Sequence, residues 1–210
     1  SILARLNALN ALDAFGGKRI LLTGARGFLG RWLTAVLSRV HGAKILAVDN
    51  WAWGAELRNR AHRPVASVDY VNADVTRPSP SLIAGGRIDY IFALAGIASP
   101  YWYKRHPVET FDISTVGLRC MLDVALAQGG RVLFSSSSEV YGTPATLPIR
   151  ETHPLQAQSP YAASKIAADQ LALSYHRSFG LPVVVLRPFN TYGPRQSTRA
   201  VLPSIIGQLL

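Results

Sequence analysis

Read for apolar and polar positions, the chain alternates short buried runs with longer stretches of helical spacing. Ile20-Leu21-Leu22 forms the first run and ends at Thr23; Trp32, Leu33, Val36, Leu37 and Val40 then recur at the three-and-four spacing of one helix face. Further strand-like runs follow at Ile45–Val48, Val68–Asn72, Tyr90–Ala95, Arg131–Ser136 and Pro182–Leu186. Between them the pattern predicts a long helix from Pro107 through Gln128, stopped by Gly129-Gly130, and another over Tyr161–Phe179 with Ile166, Leu171, Leu173 and Tyr175. A last helix opens at Val201. Strands alternating with helices at this spacing specify an α/β fold, a doubly wound parallel sheet with helices on both faces and right-handed crossovers. Ahead of it, Leu3, Leu6, Leu9 and Leu12 predict an amphipathic helix that Gly16-Gly17 ends. The expected organisation is an N-terminal helix over 1–17, a main α/β domain over 18–198, and the start of a further part over 199–210.

The turn after the first run carries glycines at 24, 27 and 30, with Phe28 and Leu29 opening the helix. A strand, a glycine turn and a helix N-terminus let backbone approach a diphosphate, whose charge meets free N–H groups and the positive end of the helix dipole. Asp49, followed by Asn50, ends the second run nineteen residues beyond Gly30, where a carboxylate can take the adenosine ribose hydroxyls. Asp74 and Val75, just past the third run, read either as an adenine contact or as an ordinary acidic loop. Leu94 and Ala95, with Ala93 and Gly96, are small enough for a cofactor to lie close. The Tyr101-Trp102-Tyr103 cluster falls in a loop after a strand, where it either walls a ligand or packs as core.

Composition narrows the classes. The 210 residues are 49% apolar and 16% charged, as in a globular chain. The balance of 22 Lys+Arg against 12 Asp+Glu gives +10. No basic run exceeds two residues, so the excess reads as solvated helix faces that attract anionic nucleotides, and not as a nucleic-acid surface. The single Cys120 excludes an internal disulfide and fits a reducing compartment. No apolar run reaches the roughly 20 residues a membrane span needs, and Asn7, Asn10 and Asp13 interrupt the opening segment as a signal peptide, so a cytoplasmic location is expected. No metal-ligand spacing is present.

The chemistry-bearing pair is Tyr161 and Lys165, one turn apart on a helix face. An ammonium beside a phenol favours the phenolate and is expected to lower its pKa from about 10 toward neutrality. Ser137, at the end of the neighbouring strand, would share a substrate hydroxyl with Tyr161.

Together, TGARGFLG (23–30), Asp49, SSSSEVYG (135–142), SPYAASK (159–165) and RPFNTYGPRQ (187–196) resemble the extended short-chain dehydrogenase/reductases, in particular the nucleotide-sugar epimerase/dehydratase family. The resemblance covers roughly residues 18–210. It implies a Rossmann-type domain, a tightly held NAD, a UDP- or dTDP-linked sugar and transient oxidation at the sugar's C4. It implies Ser137, Tyr161 and Lys165 as the catalytic set, Pro188 at the nicotinamide, Asn190 and Arg195 at the sugar nucleotide, and a homodimer through the helices at 107–128 and 161–179.

Glu139 sorts the subfamilies. Oxidation at C4 acidifies the C5 proton, which a carboxylate here can remove; the 4-epimerases that resemble this motif generally lack it. Ser138 stands where dTDP-glucose 4,6-dehydratases place an acidic aspartate, and serine-then-glutamate resembles UDP-glucuronate decarboxylases, as does IASPYWYKRHP (97–107). Residues 143–210 are more similar to UDP-N-acetylglucosamine-type 4,6-dehydratases, with Glu139 carrying the C5 proton to the leaving hydroxyl and Ser138 at the substrate. The expected activity is therefore C4 oxidation followed by loss of water, with decarboxylase, 4-epimerase or reductase, and inactive NAD-binding module as alternatives. Ser114 replaces the usual asparagine before Gly117 and is expected to alter packing near the site. The chain is shorter than members of this family, whose smaller C-terminal domain closes over the substrate.

Overall fold

The computed structural model describes residues 12–50, 65–77 and 85–209. Six strands form one parallel sheet: β1 (Arg19–Thr23), β2 (Lys44–Asp49), β3 (Val68–Asn72), β4 (Tyr90–Ala93), β5 (Arg131–Ser135) and β6 (Val183–Leu186). Their order is β3-β2-β1-β4-β5-β6, with Ile20 facing Ile45 on one side and Tyr90 on the other. All five pairings are parallel, the arrangement expected of a doubly wound sheet. The helices are α1 (Phe28–Leu37), α2 (Pro100–Tyr103), α3 (Pro107–Asp112), α4 (Leu118–Gln128), α5 (Pro160–Phe179) and α6 (Val201–Leu209).

Period-two alternation divides the core into two layers. Leu21, Leu46, Val48, Ile91, Val132 and Phe134 face Leu118, Met121 and Leu122 of α4 and Ala168 and Ala172 of α5. Ile20, Leu22, Ile45, Ala47 and Phe92 point the other way, toward Leu37 of α1. Cys120 packs at the edge of the first layer and is half-buried, in keeping with a structural thiol.

Two expectations change, and a third falls largely outside the described residues. The leucine-rich helix over 1–17 lies mostly outside the described residues; its visible end, Asp13–Phe15, is a short 3-10 turn whose Phe15 ring meets Tyr90 at 5.0 Å. The loop after β4 contains α2, begun by Pro100 at a position where a missing N–H costs nothing. The helix predicted over 107–128 is continuous but holds a π turn at Ile113–Gly117, within which Gly117 packs so tightly on Val75 that a Cβ there would sit 2.8 Å from the valine Cγ2. The first long helix ends on left-handed Gly129, as predicted, and α5 ends in the same way on left-handed Gly180.

Strand order reverses between β1 and β4, so their carboxyl ends flank the crevice where such sheets bind ligands.

Candidate active site

One wall of the crevice is backbone. Gly24 has φ +66°, and a Cβ on it would lie 2.9 Å from the Ala95 amide nitrogen. Thr23 Oγ1 fixes that approach by accepting from the amides of Leu94 (3.1 Å) and Ala95 (3.2 Å). Gly30, inside α1, would put a Cβ 2.2 Å from the Gly24 carbonyl oxygen. Gly27 sits at the N-cap of α1, so Phe28 and Leu29 present first-turn N–H groups without intrahelical partners. This cradle fits a dinucleotide diphosphate. Asp49 stands beside it at the end of β2, where its Oδ2 accepts from the Arg26 amide at 2.9 Å; Asn50 follows, half-buried.

The side chains of Asp74 and Val75 have partners of their own. Asp74 turns its carboxylate onto its own loop, with Oδ1 accepting from the Thr76 amide (2.9 Å) and hydroxyl (2.8 Å) and Arg77 3.9 Å from Oδ2. Val75 buries its side chain in the core against Gly117, leaving only backbone for the crevice.

The opposite wall is made of side chains. Ser137 follows β5 and caps a 3-10 turn, Ser138–Tyr141, its Oγ accepting from the Glu139 amide at 3.2 Å. The Tyr161 phenol lies beside the same hydroxyl. Tyr161 lies in the first turn of α5, which Ser159 caps by accepting from the Ala162 amide at 3.0 Å. Ser159 Oγ also donates to Glu139 Oε2 at 3.3 Å. Lys165, one turn on, is buried, and its Nζ donates to the Ser135 carbonyl at 2.8 Å. Ser137, Glu139, Tyr161 and Lys165 therefore converge as expected.

Their acidities do not follow the expectation. Burial pushes the Tyr161 phenol up to about 12, only partly offset by the Ser137 hydrogen bond, and the charges of Glu139 and Tyr103 push the same way. Lys165 lies 5.6 Å from the Tyr161 ring centroid with its ammonium turned to Ser135. Desolvation brings Lys165 itself down to about 8, against the opposing charge of Asp169. Desolvation beats the ammonium because both groups are withdrawn from water together.

The flanking predictions divide. Pro188 is at the site, its carbonyl accepting from the Ser138 amide at 3.0 Å, and Asn190 is exposed on the 187–198 loop. Arg195 is drawn instead to the cofactor helix: it has φ +74°, its guanidinium lies 5.2 Å over the Trp32 ring, and its carbonyl accepts from Arg31 Nη2. Ser114 is fully buried in the π turn, 3.1 Å from Ser164 Oγ behind Tyr161. Of the aromatic cluster, Tyr103 stacks on Tyr161 at 5.7 Å and 11°. Beneath Lys165 lies a buried network that the sequence reading omits. Asp169 is 0% exposed and pairs with Arg187 Nε at 2.8 Å, while Arg187 Nη1 donates to the Tyr141 hydroxyl at 2.9 Å. A carboxylate four residues after the lysine on the buried helix face is the signal that could have found it. Among the described residues no group of three His, Cys, Asp or Glu could hold a metal ion, and no helix is long and apolar enough to cross a membrane.

The chain is 35% identical to UDP-glucuronic acid decarboxylase 6 of Arabidopsis thaliana, over 85% of this chain and 52% of that protein. It is 36% identical to a dTDP-glucose 4,6-dehydratase of Actinoplanes sp., over 91% of this chain and 62% of that protein. The solved dTDP-glucose 4,6-dehydratase DesIV of Streptomyces venezuelae, with NAD and TYD bound, superposes with a TM-score of 0.76 at 30% identity, covering 91% of this chain and 62% of that one. The chain thus spans about half to three-fifths the length of these relatives. Residues 20–210 match the NAD dependent epimerase/dehydratase family, and with the glycine cradle and the Ser-Tyr-Lys wall in place the chain belongs to that family.

Proposed function

We propose that the whole protein oxidises C4 of a UDP- or dTDP-linked sugar and then eliminates water across C5 and C6. The observation that carries this reading is the proximity of two bases: the Tyr161 phenol lies beside Ser137, and the Glu139 carboxylate, whose Oε2 accepts from Ser159 Oγ at 3.3 Å, is near enough for its charge to push that phenol up. One base is then placed for the C4 hydroxyl and a second for the neighbouring C5 proton. Gly24, Gly27 and Gly30 would hold the NAD diphosphate, Asp49 the ribose, and Lys165 with Pro188 the nicotinamide end. NAD bound there supplies a hydride acceptor at C4.

Tyr161 takes the hydroxyl proton at C4, with Ser137 holding the oxygen and Lys165 contributing positive charge below its pKa of about 8. The new C4 carbonyl acidifies C5–H, which lies next to it, and Glu139 removes that proton. The hydroxyl at C6 is β to the carbonyl, so its departure completes the elimination. Glu139→Gln in the full-length protein tests the assignment with UDP-N-acetylglucosamine and dTDP-glucose. C4 oxidation, followed at 340 nm, proceeds, while water loss by mass falls about 100- to 10,000-fold. Unchanged water loss rejects the role.

Decarboxylation of a UDP-glucuronate is the second reading, favoured by the identity to the Arabidopsis decarboxylase and by serine preceding Glu139; a mass loss of carbon dioxide in place of water separates the two. Val108, Phe111, Leu126 and Phe179 are exposed on α3, α4 and at the end of α5, the helices through which a homodimer would form.

A further inference from the structure

Elimination needs an acid as well as a base, and the position before Glu139 supplies only an alcohol. Ser138 is a far weaker acid than a carboxyl group. A better donor lies on the other side of Glu139. Tyr103, the last residue of α2, is 6% exposed among Ile97, Trp102, Ile113 and Tyr161. Its ring lies parallel to that of Tyr161, 5.7 Å away. Its hydroxyl lies next to the side chain of Ser159, whose own hydroxyl donates to Glu139 Oε2 at 3.3 Å. Packing alone would be satisfied by phenylalanine; the hydroxyl is the part that joins this chain of groups. The loop that carries it is also held from outside, with the Arg105 guanidinium 3.7 Å and that of Arg199 4.6 Å from the Tyr101 ring centroid.

We propose that Tyr103 is the proton donor of the elimination step, joined to Glu139 through the Ser159 hydroxyl. The inference rests on the dehydratase reading above. In it, Glu139 takes the C5 proton, the C5–H electron pair becomes the C5–C6 double bond, and the C6–O bond breaks. The departing oxygen takes the Tyr103 proton and leaves as water. The phenolate regains a proton from the Glu139 carboxyl by transfer through Ser159, which restores both groups. Burial and the Glu139 charge both hold the Tyr103 phenol above its ordinary pKa, so at neutral pH it carries the proton it has to give.

The test uses full-length protein with NAD and either UDP-N-acetylglucosamine or dTDP-glucose in deuterated water, comparing wild type, Tyr103→Phe and Glu139→Gln. Phenylalanine keeps the stacked ring. Expected for Tyr103→Phe is wild-type cofactor reduction at 340 nm and continued deuterium entry at C5, with water loss down about 100- to 10,000-fold. In Glu139→Gln the deuterium entry itself disappears. Tyr103→Phe eliminating water within threefold of wild type overturns the proposal, and so does a defect already present in cofactor reduction. Deuterium entry persisting in Glu139→Gln overturns the underlying reading instead, as does a wild-type protein that dehydrates neither sugar. As a second probe, 3-fluorotyrosine at position 103, a stronger acid of nearly the same shape, moves the high-pH limb of water loss to lower pH. An unmoved limb, with Glu139, Tyr161 and Lys165 unchanged around it, leaves Tyr103 a packing residue.

Discussion

The two walls of the crevice are built from opposite materials. At the carboxyl end of β1 the working surface is backbone, and its precision comes from side chains that are missing: Gly24 touches the Ala95 amide and Gly30 touches the Gly24 carbonyl. Past β5 the working surface is side chain, and its precision comes from groups held out of water, each tied to a neighbour: Lys165 to Ser135, Tyr161 to Ser137, Asp169 to Arg187. The first wall fails by gaining atoms. The second fails by losing a partner.

Asp169→Asn is the sharpest blow to the side-chain wall. It leaves Arg187 half of a buried pair, and breaking such a pair costs about 3–5 kcal/mol; chemical denaturation of mutant and wild type measures it. Gly30→Ala tests the backbone wall. One methyl meets the Gly24 oxygen and the Ala25 backbone together, and overpacking of this kind costs about 3 kcal/mol, at the upper end of its usual range. Fluorescence titration with NAD should show binding lost alongside stability, whereas Asp169→Asn should affect stability first.

A pH series separates the walls more finely. Folded Lys165 has a pKa of about 8 against an ordinary 10.5. Between those values the unfolded chain holds the proton and the folded chain does not, so stability rises with pH across that window, by up to about 3 kcal/mol. Below pH 8 the penalty is fully present. Lys165→Met should be flat over the same window in denaturant titrations. The smallest expected change lies outside both walls: Gly207 in α6 has nothing within 4 Å of an added Cβ. Gly207→Ala should raise the melting temperature slightly, from a gain of at most about 1 kcal/mol.

The same contrast decides what can be read from the chain before it folds. The glycine wall is legible because its requirement is local: three glycines between an apolar run and an amphipathic stretch, with Asp49 ending the next run, suit a phosphate-binding turn. Tyr161 and Lys165 are legible through their spacing, Ser137 and Glu139 through the resemblance that SSSSEVYG carries, and the helix stop at Gly129 through backbone conformation. Acidity is not legible, because Tyr161 and Lys165 respond to how deeply they are buried, which spacing does not encode. Asp169 and Arg187, eighteen residues apart, meet only once β6 is laid beside β5. The surroundings of Asp74 and Arg195 are not legible for a related reason: each side chain meets a near neighbour, Thr76 in one case and the Trp32 ring in the other.

The widened turn at Ile113–Gly117 has a consequence for sequence length. It accommodates one residue more than an ordinary helical ladder, and by doing so keeps Thr110 and Leu118, on its two sides, both turned inward. Removing a single residue there would regularise the spiral yet rotate everything downstream by about 100°, swinging Met121 and Leu122 toward solvent. Substitution within this segment is therefore open to selection in a way that deletion is not.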